Sequence, residues 1–415
     1  MLEHEGLYYW VGENRGEDDR FKAVSLYSSS DLVTWTHIND ILTTASDPEL
    51  DGATIERPKL LFNEQTQRFV LWLHWENGQD YSQARSAVAT SSDVAGDYDY
   101  EGSFRPLGFE SRDQTVFQDE DGAGYLVSAT ASNADLNIYR LSSDYIQPEE
   151  LVAHLWPGAF REAPAIFVRD GVYFLVSSGA TGWDSNQAKY ATATDLAGPW
   201  TDLADFGDAE AFDSQTAYVL PVNGSEGTTY LYQGDRWAGA RGGLVNESDY
   251  VWLPLEFPTP ETLAMSWAPS LDISAATGVI GATSSSPSLG AGSPFGTMQD
   301  ATSGYCLDAP NDDEGTGLIF YECNGGPNQQ WQALPGGDGS TLLRSRAWAD
   351  CLSTTGDGSL VLATCSDAPE QRSQEILTST GGTTVRINEA CLSADDAGVG
   401  TTTDCSRAGE VIWSN

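Results

Sequence analysis

Basic residues are scarce in this chain. Against 61 Asp+Glu stand 20 Lys+Arg, of which only Lys22, Lys59 and Lys189 are lysines, and the formal net charge is −41. Affinity for a phosphate backbone is built from Lys and Arg, so a nucleic-acid partner is excluded. An anionic membrane surface is excluded on the same ground, and no apolar run approaches the length of a bilayer span. Four scattered histidines (His4, His37, His74, His154) give no support for a catalytic metal, and no cofactor is expected. No long stripe of period 3.6 occurs, so long amphipathic helices are not expected. Residues Met1–Gly6 lack the charged start and apolar core of a signal peptide.

What is present is enough for a large core: 40% of residues are hydrophobic and 11% aromatic. A length of 415 residues makes two domains the starting expectation. All six cysteines lie after residue 305, as Cys306/Cys323, Cys351/Cys365 and Cys391/Cys405. Even number and regular spacing point to three local disulfides and an oxidising compartment. Zinc fits less well, because C-x-x-C spacing and nearby histidines are both missing.

Two repeat systems divide the chain. Over the first 270 or so residues a unit recurs: a polar entry, a short apolar strand, a turn, then an aromatic-rich strand. It is seen in Ile55–Phe62 with Arg68–Leu73, in Ser111–Phe117 with Gly124–Val127, in Glu162–Val168 with Val172–Val176, and in Asp213–Leu220 with Thr229–Tyr232. Four strands per unit of roughly 50 residues is the pattern of a β-propeller blade. Counting Gly6–Gly12 as the first unit gives a five-bladed propeller over residues 1–272. Glu5-Gly6 stands where the other units turn. The innermost strand of the first blade is therefore expected before Met1, lost with a truncated or misassigned start that also removed a signal peptide. Residues 273–294, rich in Gly, Ser and Ala, read as a flexible linker. Beyond them, over 295–415, come three units of roughly 40 residues, each with one cysteine pair and opening on Cys306-Leu307-Asp308, Cys351-Leu352-Ser353 and Cys391-Leu392-Ser393. The fold class is all-β throughout.

Blades place the entry of their innermost strand at the mouth of a central channel. Glu56, Asp113, Glu162 and Asp213-Ser214-Gln215 occupy that position. Carboxylates converging on one axis beside aromatic walls are the apparatus of glycoside hydrolysis. Crowding raises the pKa of one of them, so that it stays protonated as a general acid. A chain with 61 acids also has carboxylates at turns by chance; recurrence at one repeat position favours the functional reading. Trp183 and Trp237 either stack on sugar rings or pack between blades. His74 is either a channel residue or a hydrogen-bonded core histidine, and a structural cation in the channel stays open. Asn223 and Asn246 head glycosylation sequons.

The segments Ile55-Glu56-Arg57-Pro58-Lys59, Ser111-Arg112-Asp113, Glu162-Ala163-Pro164-Ala165, Thr181-Gly182-Trp183-Asp184, Asp213-Ser214-Gln215 and Gly234-Asp235-Arg236-Trp237 together resemble glycoside hydrolase family 43, and more narrowly its exo-β-1,3-galactanase branch. The resemblance implies that Glu162 is the catalytic acid, that Asp113 tunes and orients it, and that Gln215 holds the attacking water or relays a proton through its imidic tautomer. It gives Glu56 and Glu13 as sugar-hydroxyl ligands, with Glu56 also the alternative base, and Tyr81, Thr181, Trp183, Asp235 and Trp237 as further substrate contacts. It implies inversion at the anomeric carbon. The Cys-Leu-Asp/Ser repeats with Gln329-Gln330-Trp331 resemble the ricin-type β-trefoil, a galactose-favouring carbohydrate-binding module. Asp308, Tyr321 and Asn324 are its implied sugar contacts, while Gln371-Arg372-Ser373 and Glu410-Val411-Ile412-Trp413 are degenerate. The expectation is a secreted, monomeric exo-glycosidase taking galactose from β-1,3-galactan. The alternatives are another family 43 specificity, arabinofuranosidase or xylosidase, and an inactive galactan-binding protein.

Overall fold

The computed structural model describes the chain except residues 17–19, 242, 269–270, 283–294, 312–314, 316, 337–339, 349, 367, 378–382, 389, 395–397, 407–410 and 415. The chain forms two compact units. One comprises Met1–Phe206, Ser214–Ala264 and Ile273–Ile280; the other comprises Gly207–Asp213, Met265–Asp272 and Gly281–Asn415.

The first unit is the five-bladed propeller. Its sheets are four-stranded antiparallel meanders whose inner strands are Leu2–His4, Thr54–Asn63, Gln114–Gln118, Arg161–Arg169 and Gln215–Gly224. The second strand of the second sheet, Arg68–Glu76, shows why. Phe69, Leu71, Leu73 and Trp75 face one way, into a core shared with Val11, Leu26 and Ile55 of the first two sheets. Val70 and Trp72 face the other way, against Val116, Leu126 and Tyr139 of the third. Successive side chains alternate between faces, so a strand covered on both sides reads as one continuous apolar run. Trp72 is fully buried and its Nε1–H donates to the Tyr145 carbonyl at 2.9 Å, so the ring leaves no unpaired donor behind.

Two inner strands carry the same irregularity. Register shifts between Glu56 and Lys59, and between Glu162 and Ala165. At each bulge a non-glycine residue is left-handed, Arg57 at φ 53° and Ala163 at φ 49°, and a proline follows. A bulge re-aims side chains that strict alternation would send to opposite faces. That is how neighbours Glu56 and Arg57 come to line one cavity.

Two boundaries differ from the sequence reading. The first sheet already has an innermost strand within the chain, where the sequence reading expected it before Met1: Leu2–His4 forms it, pairing with Leu7–Tyr9 through the turn at Glu5-Gly6. It is three residues long, where the other four run from five to ten. Nor does residue 273 begin a free linker. Leu271–Ser274 and Val279–Ala282 form a hairpin. Its turn is tied to the fifth sheet, with Ser225 N–H and Glu226 N–H donating to the carbonyls of Ala276 and Thr277. Gly278, at φ 72°, supplies the left-handed residue this turn needs. The rest of the expected linker, 283–294, lies outside the described residues.

The second unit is a β-trefoil of paired strands. Cys306–Asp308 pairs with Ile319–Tyr321, Cys351–Thr354 with Leu360–Ala363, and Ala390–Ala394 with Gly400–Thr403. In each hairpin a disulfide, Cys306–Cys323, Cys351–Cys365 or Cys391–Cys405, joins the two arms. The leucine after each first cysteine (Leu307, Leu352, Leu392) enters one common core with Trp331 and Phe320. Among the described residues no α-helix occurs.

Candidate active site

At the inner-strand entries of the propeller is a cavity of about 330 Å³. Glu13, Glu56, Asp113, Glu162 and Gln215, drawn from all five sheets or the loops before them, line it. Four of these, Glu56, Asp113, Glu162 and Gln215, sit at equivalent inner-strand entries of four repeats and thus become neighbours, while Glu13 joins them from the second strand of the first sheet, Leu7–Arg15.

Arg57 organises one wall. Its Nε and Nη2 donate to the two oxygens of Asp113 at 3.0 and 2.9 Å, and Nη1 donates to Asp235 at 2.9 Å. Nη2 also reaches the amide oxygen of Gln215 at 2.5 Å. The guanidinium stands 5.4 Å from the Trp237 ring centroid, and Trp237 Nε1–H donates to the same amide oxygen at 2.7 Å. Gln215 then offers its NH2 to Glu162 Oε1 at 2.9 Å, while Asn133 Nδ2 reaches Glu162 Oε2 at 2.7 Å. Burial, and then the negative charge of Asp113, raise the Glu162 carboxyl to about 8. A carboxylic acid that keeps its proton at neutrality is what general-acid chemistry requires. Burial also raises Asp235, against the pull of Arg57.

Glu56 is the opposite case. Burial alone would raise it, but hydrogen bonds from His74 Nδ1 (3.1 Å), Arg15 Nη2 (3.0 Å) and Tyr81 Oη (2.6 Å) hold it down at about 2. So weak a proton acceptor is unsuited to act as general base; it suits a fixed anion that orients hydroxyl groups. His74 is both a site residue and a hydrogen-bonded one. Its Nε2 meets the fully buried Glu76 at 3.1 Å, and the two carboxylates outweigh burial to raise it to about 9. Glu13 is raised to about 7 by burial and by Glu56, despite Arg15 at 3.1 Å. Among the described residues one donor set has metal-binding proximity: Glu56, His74 and Asp113, with ligand atoms within 4.8 Å of one another. With no ion bound, His74 of this set is held by hydrogen bonds to Glu56 and Glu76. Both nitrogens of His74 are engaged by carboxylates that favour imidazolium, which has no lone pair to give a metal.

Not every expected contact joins the cavity. Thr181 turns its hydroxyl to the Asp184 carbonyl at 2.6 Å and accepts from Asn186, so it is spent on its own loop. Asp235 faces an adjoining chamber walled by Trp10, Trp35, Tyr250 and Trp252, which shares Glu13, Arg57 and Trp237 with the site. Trp183 and Trp237 line the cavity and also pack edge to face on each other, at 5.2 Å. Gly239 makes room there, because a Cβ on it would come within 2.8 Å of the Trp183 ring. Sequence reasoning gave no role to Arg57, Arg15, Glu76 or Asn133. Arg57 alone left a legible trace: a second charged residue directly after Glu56, just before Pro58, breaks strand alternation.

The model of glycosyl hydrolases family 43 matches residues 1–206, and that of the ricin-type β-trefoil lectin domain matches residues 294–413. An exo-β-1,3-galactanase from Clostridium thermocellum is 36% identical, over 100% of this chain and 95% of that one, with a TM-score of 0.70. The chain belongs to glycosyl hydrolase family 43. A family 43 β-1,3-galactosidase solved with galactodeoxynojirimycin is 32% identical over 64% of this chain and 92% of its own, with a TM-score of 0.60. The exo-β-1,3-galactanase from Phanerochaete chrysosporium, solved with β-1,3-galactotriose, is 26% identical over 99% and 89%, with a TM-score of 0.64. No curated protein matches the sequence.

In this family 43 hydrolase the first repeat of the trefoil holds a hydrogen-bonded acid. Asp308, buried, accepts from Asn328 Nδ2 and Gln329 Nε2, both at 2.8 Å, while Tyr321, opposite Cys306 in the same hairpin, stands 56% exposed. Asn324 is exposed and accepts from Gly326 N–H at 2.7 Å. In the second repeat Gln371 keeps the structural part of the Gln329 role, bonding to the Ser366 N–H and the Thr364 carbonyl, but Ser353 replaces the acid. In the third, Glu410 lies outside the described residues, as do the side chains of Ile412 and Trp413.

Proposed function

We propose that this enzyme is a secreted, inverting exo-β-1,3-galactanase that releases galactose from β-1,3-galactan, held to galactose-rich polymer by its trefoil. The observation that carries the reading is likeness along the whole chain, both domains included, to an exo-β-1,3-galactanase. Glu162, protonated near neutrality, gives its proton to the glycosidic oxygen, and Asp113 sustains that protonation by its charge. Direct attack by water is favoured over a glycosyl-enzyme. Both oxygens of Asp113 are engaged by Arg57, and Glu56 is ringed by Arg15, His74 and Tyr81, contacts that draw charge from both carboxylates and weaken them as nucleophiles. The Gln215 NH2 positions that water, because its amide oxygen is already taken by two donors. As the water bonds the anomeric carbon it releases its surplus proton to solvent, the aglycone leaves as an alcohol with the proton of Glu162, and Glu162 is reprotonated from solvent once the products depart. Glu56, Glu13 and Tyr81 orient sugar hydroxyls, and Trp183 and Trp237 supply apolar ring faces.

Asp308, Tyr321 and Asn324 form the single galactose contact of the trefoil, which raises the effective concentration of polymer at the catalytic unit. Three disulfides support an oxidising, extracellular setting. Incubation with β-1,3-galactan, an aryl arabinofuranoside and an aryl xyloside tests the specificity. Galactose from the first alone is expected. Pentose release assigns another family 43 specificity, and retention on galactan with no sugar released assigns a binding protein.

A further inference from the structure

A neutral carboxylic acid has one O–H, and a buried O–H needs an acceptor. Glu162 has two oxygens and an amide beside each. Gln215 cannot turn, because its amide oxygen faces Arg57 Nη2 and Trp237 Nε1, two groups that only donate. Its NH2 must therefore face Glu162, and Glu162 Oε1 must accept. The acid proton belongs on Oε2, which faces Asn133.

No such donor fixes Asn133: its Oδ1 is buried without a partner. A half-turn about Cβ–Cγ exchanges Oδ1 and Nδ2 and sets the amide oxygen against Glu162 Oε2. The backbone is built to present this side chain. Ala131, Ser132 and Asn133 are all left-handed, at φ 51°, 57° and 64°, a conformation that costs energy for non-glycine residues and that asparagine tolerates best. Ser132 N–H on Glu110 Oε2 pins the turn, and Phe160 N–H on the Ala134 carbonyl ties it to the strand that carries Glu162.

We propose that Asn133 is the positioning residue that holds the acid's proton: in the free enzyme Glu162 Oε2–H donates to Asn133 Oδ1, and the glycosidic oxygen of bound substrate then takes that proton. The proposal rests on Glu162 being the general acid. The charged groups facing Glu162 are Asp113 and Glu56, which oppose its ionisation, and Arg57 and Arg161, which favour it. Against that fixed background the sign of one shift decides which way Asn133 acts. An acceptor stabilises the neutral acid, so its loss lowers the Glu162 pKa; a donor stabilises the carboxylate, so its loss raises it.

The test is a carbon-13 NMR titration of the Glu162 carboxyl, assigned with Glu162→Gln, in the parent and in Asn133→Gly. Glycine suits the left-handed backbone, and Asn133→Ala is the second variant should the turn loosen. A fall of about 0.5–1 pH unit is expected, the size of one hydrogen bond's preference between the two forms. A rise, or no change, overturns the proposal. No substrate is used, so a failure of the galactanase reading leaves this result intact.

Discussion

Arg57 and Gln215 share a 2.5 Å hydrogen bond, guanidinium Nη2 to amide oxygen, and the same guanidinium neutralises Asp113 and Asp235. One cation thus sets both the charge of the wall and the direction in which a neutral amide points. Its environment holds Arg57 far above the ordinary arginine range, despite burial, chiefly through Asp113 and Asp235.

Replacing Arg57 with Ala leaves two largely enclosed carboxylates, Asp113 and Asp235, without their guanidinium partner. A loss of about 3–5 kcal/mol is expected, the range for breaking a buried pair from one side, read by calorimetry at pH 7. Arg57→Lys keeps the charge but loses the planar fork, so kcat should fall about 100-fold with a smaller loss of stability. Parental activity in Arg57→Lys would show that charge alone suffices.

Glu162→Gln removes the proton that leaves with the aglycone. Hydrolysis of galactan should drop by roughly 10²–10⁴-fold. A dinitrophenyl galactoside, whose leaving group needs no protonation, should lose far less. Equal losses on both substrates would place Glu162 elsewhere in the reaction.

Stability should depend on pH through the same groups. Glu162, held up at about 8, keeps a proton that the unfolded chain gives up near 4.5, so its contribution declines as pH rises between those values. His74, held at about 9, contributes fully below about 6.5 and loses that contribution as pH climbs through 9. Glu56, held at about 2, contributes above about 4.5 and loses it as pH falls through 2. The melting temperature of Glu162→Gln, relative to the parent, should therefore rise from pH 5 to pH 8. A constant difference would mean that Glu162 is ionised throughout.

In the trefoil, Asp308→Ala should abolish retention on immobilised galactan and leave hydrolysis of a small soluble substrate unchanged. Unchanged retention would move the binding site away from the first repeat.

The blade count, the trefoil and its three cystine pairs were legible in the sequence because each rests on repetition: an apolar run at one position of every unit, or a Cys-Leu step opening each hairpin. Glu56, Asp113, Glu162 and Gln215 were legible for the same reason. Arg57 was hidden because its place in the cavity depends on a bulge, which breaks the alternation that sequence reading relies on. Asn133 was hidden because it sits in a turn between strands, where nothing recurs. The pairing of His74 with both Glu56 and Glu76 needed cross-strand register. The short first inner strand was missed because three residues carry too little pattern to read.

The stereochemistry of the first product tests the central claim most directly. Proton NMR of β-1,3-galactotriose hydrolysis should show α-galactose appearing first, with the β-anomer growing only at the rate of mutarotation. β-Galactose as the first product would require a glycosyl-enzyme on a carboxylate assigned here to orientation, and would contradict direct attack by water from the face opposite Glu162.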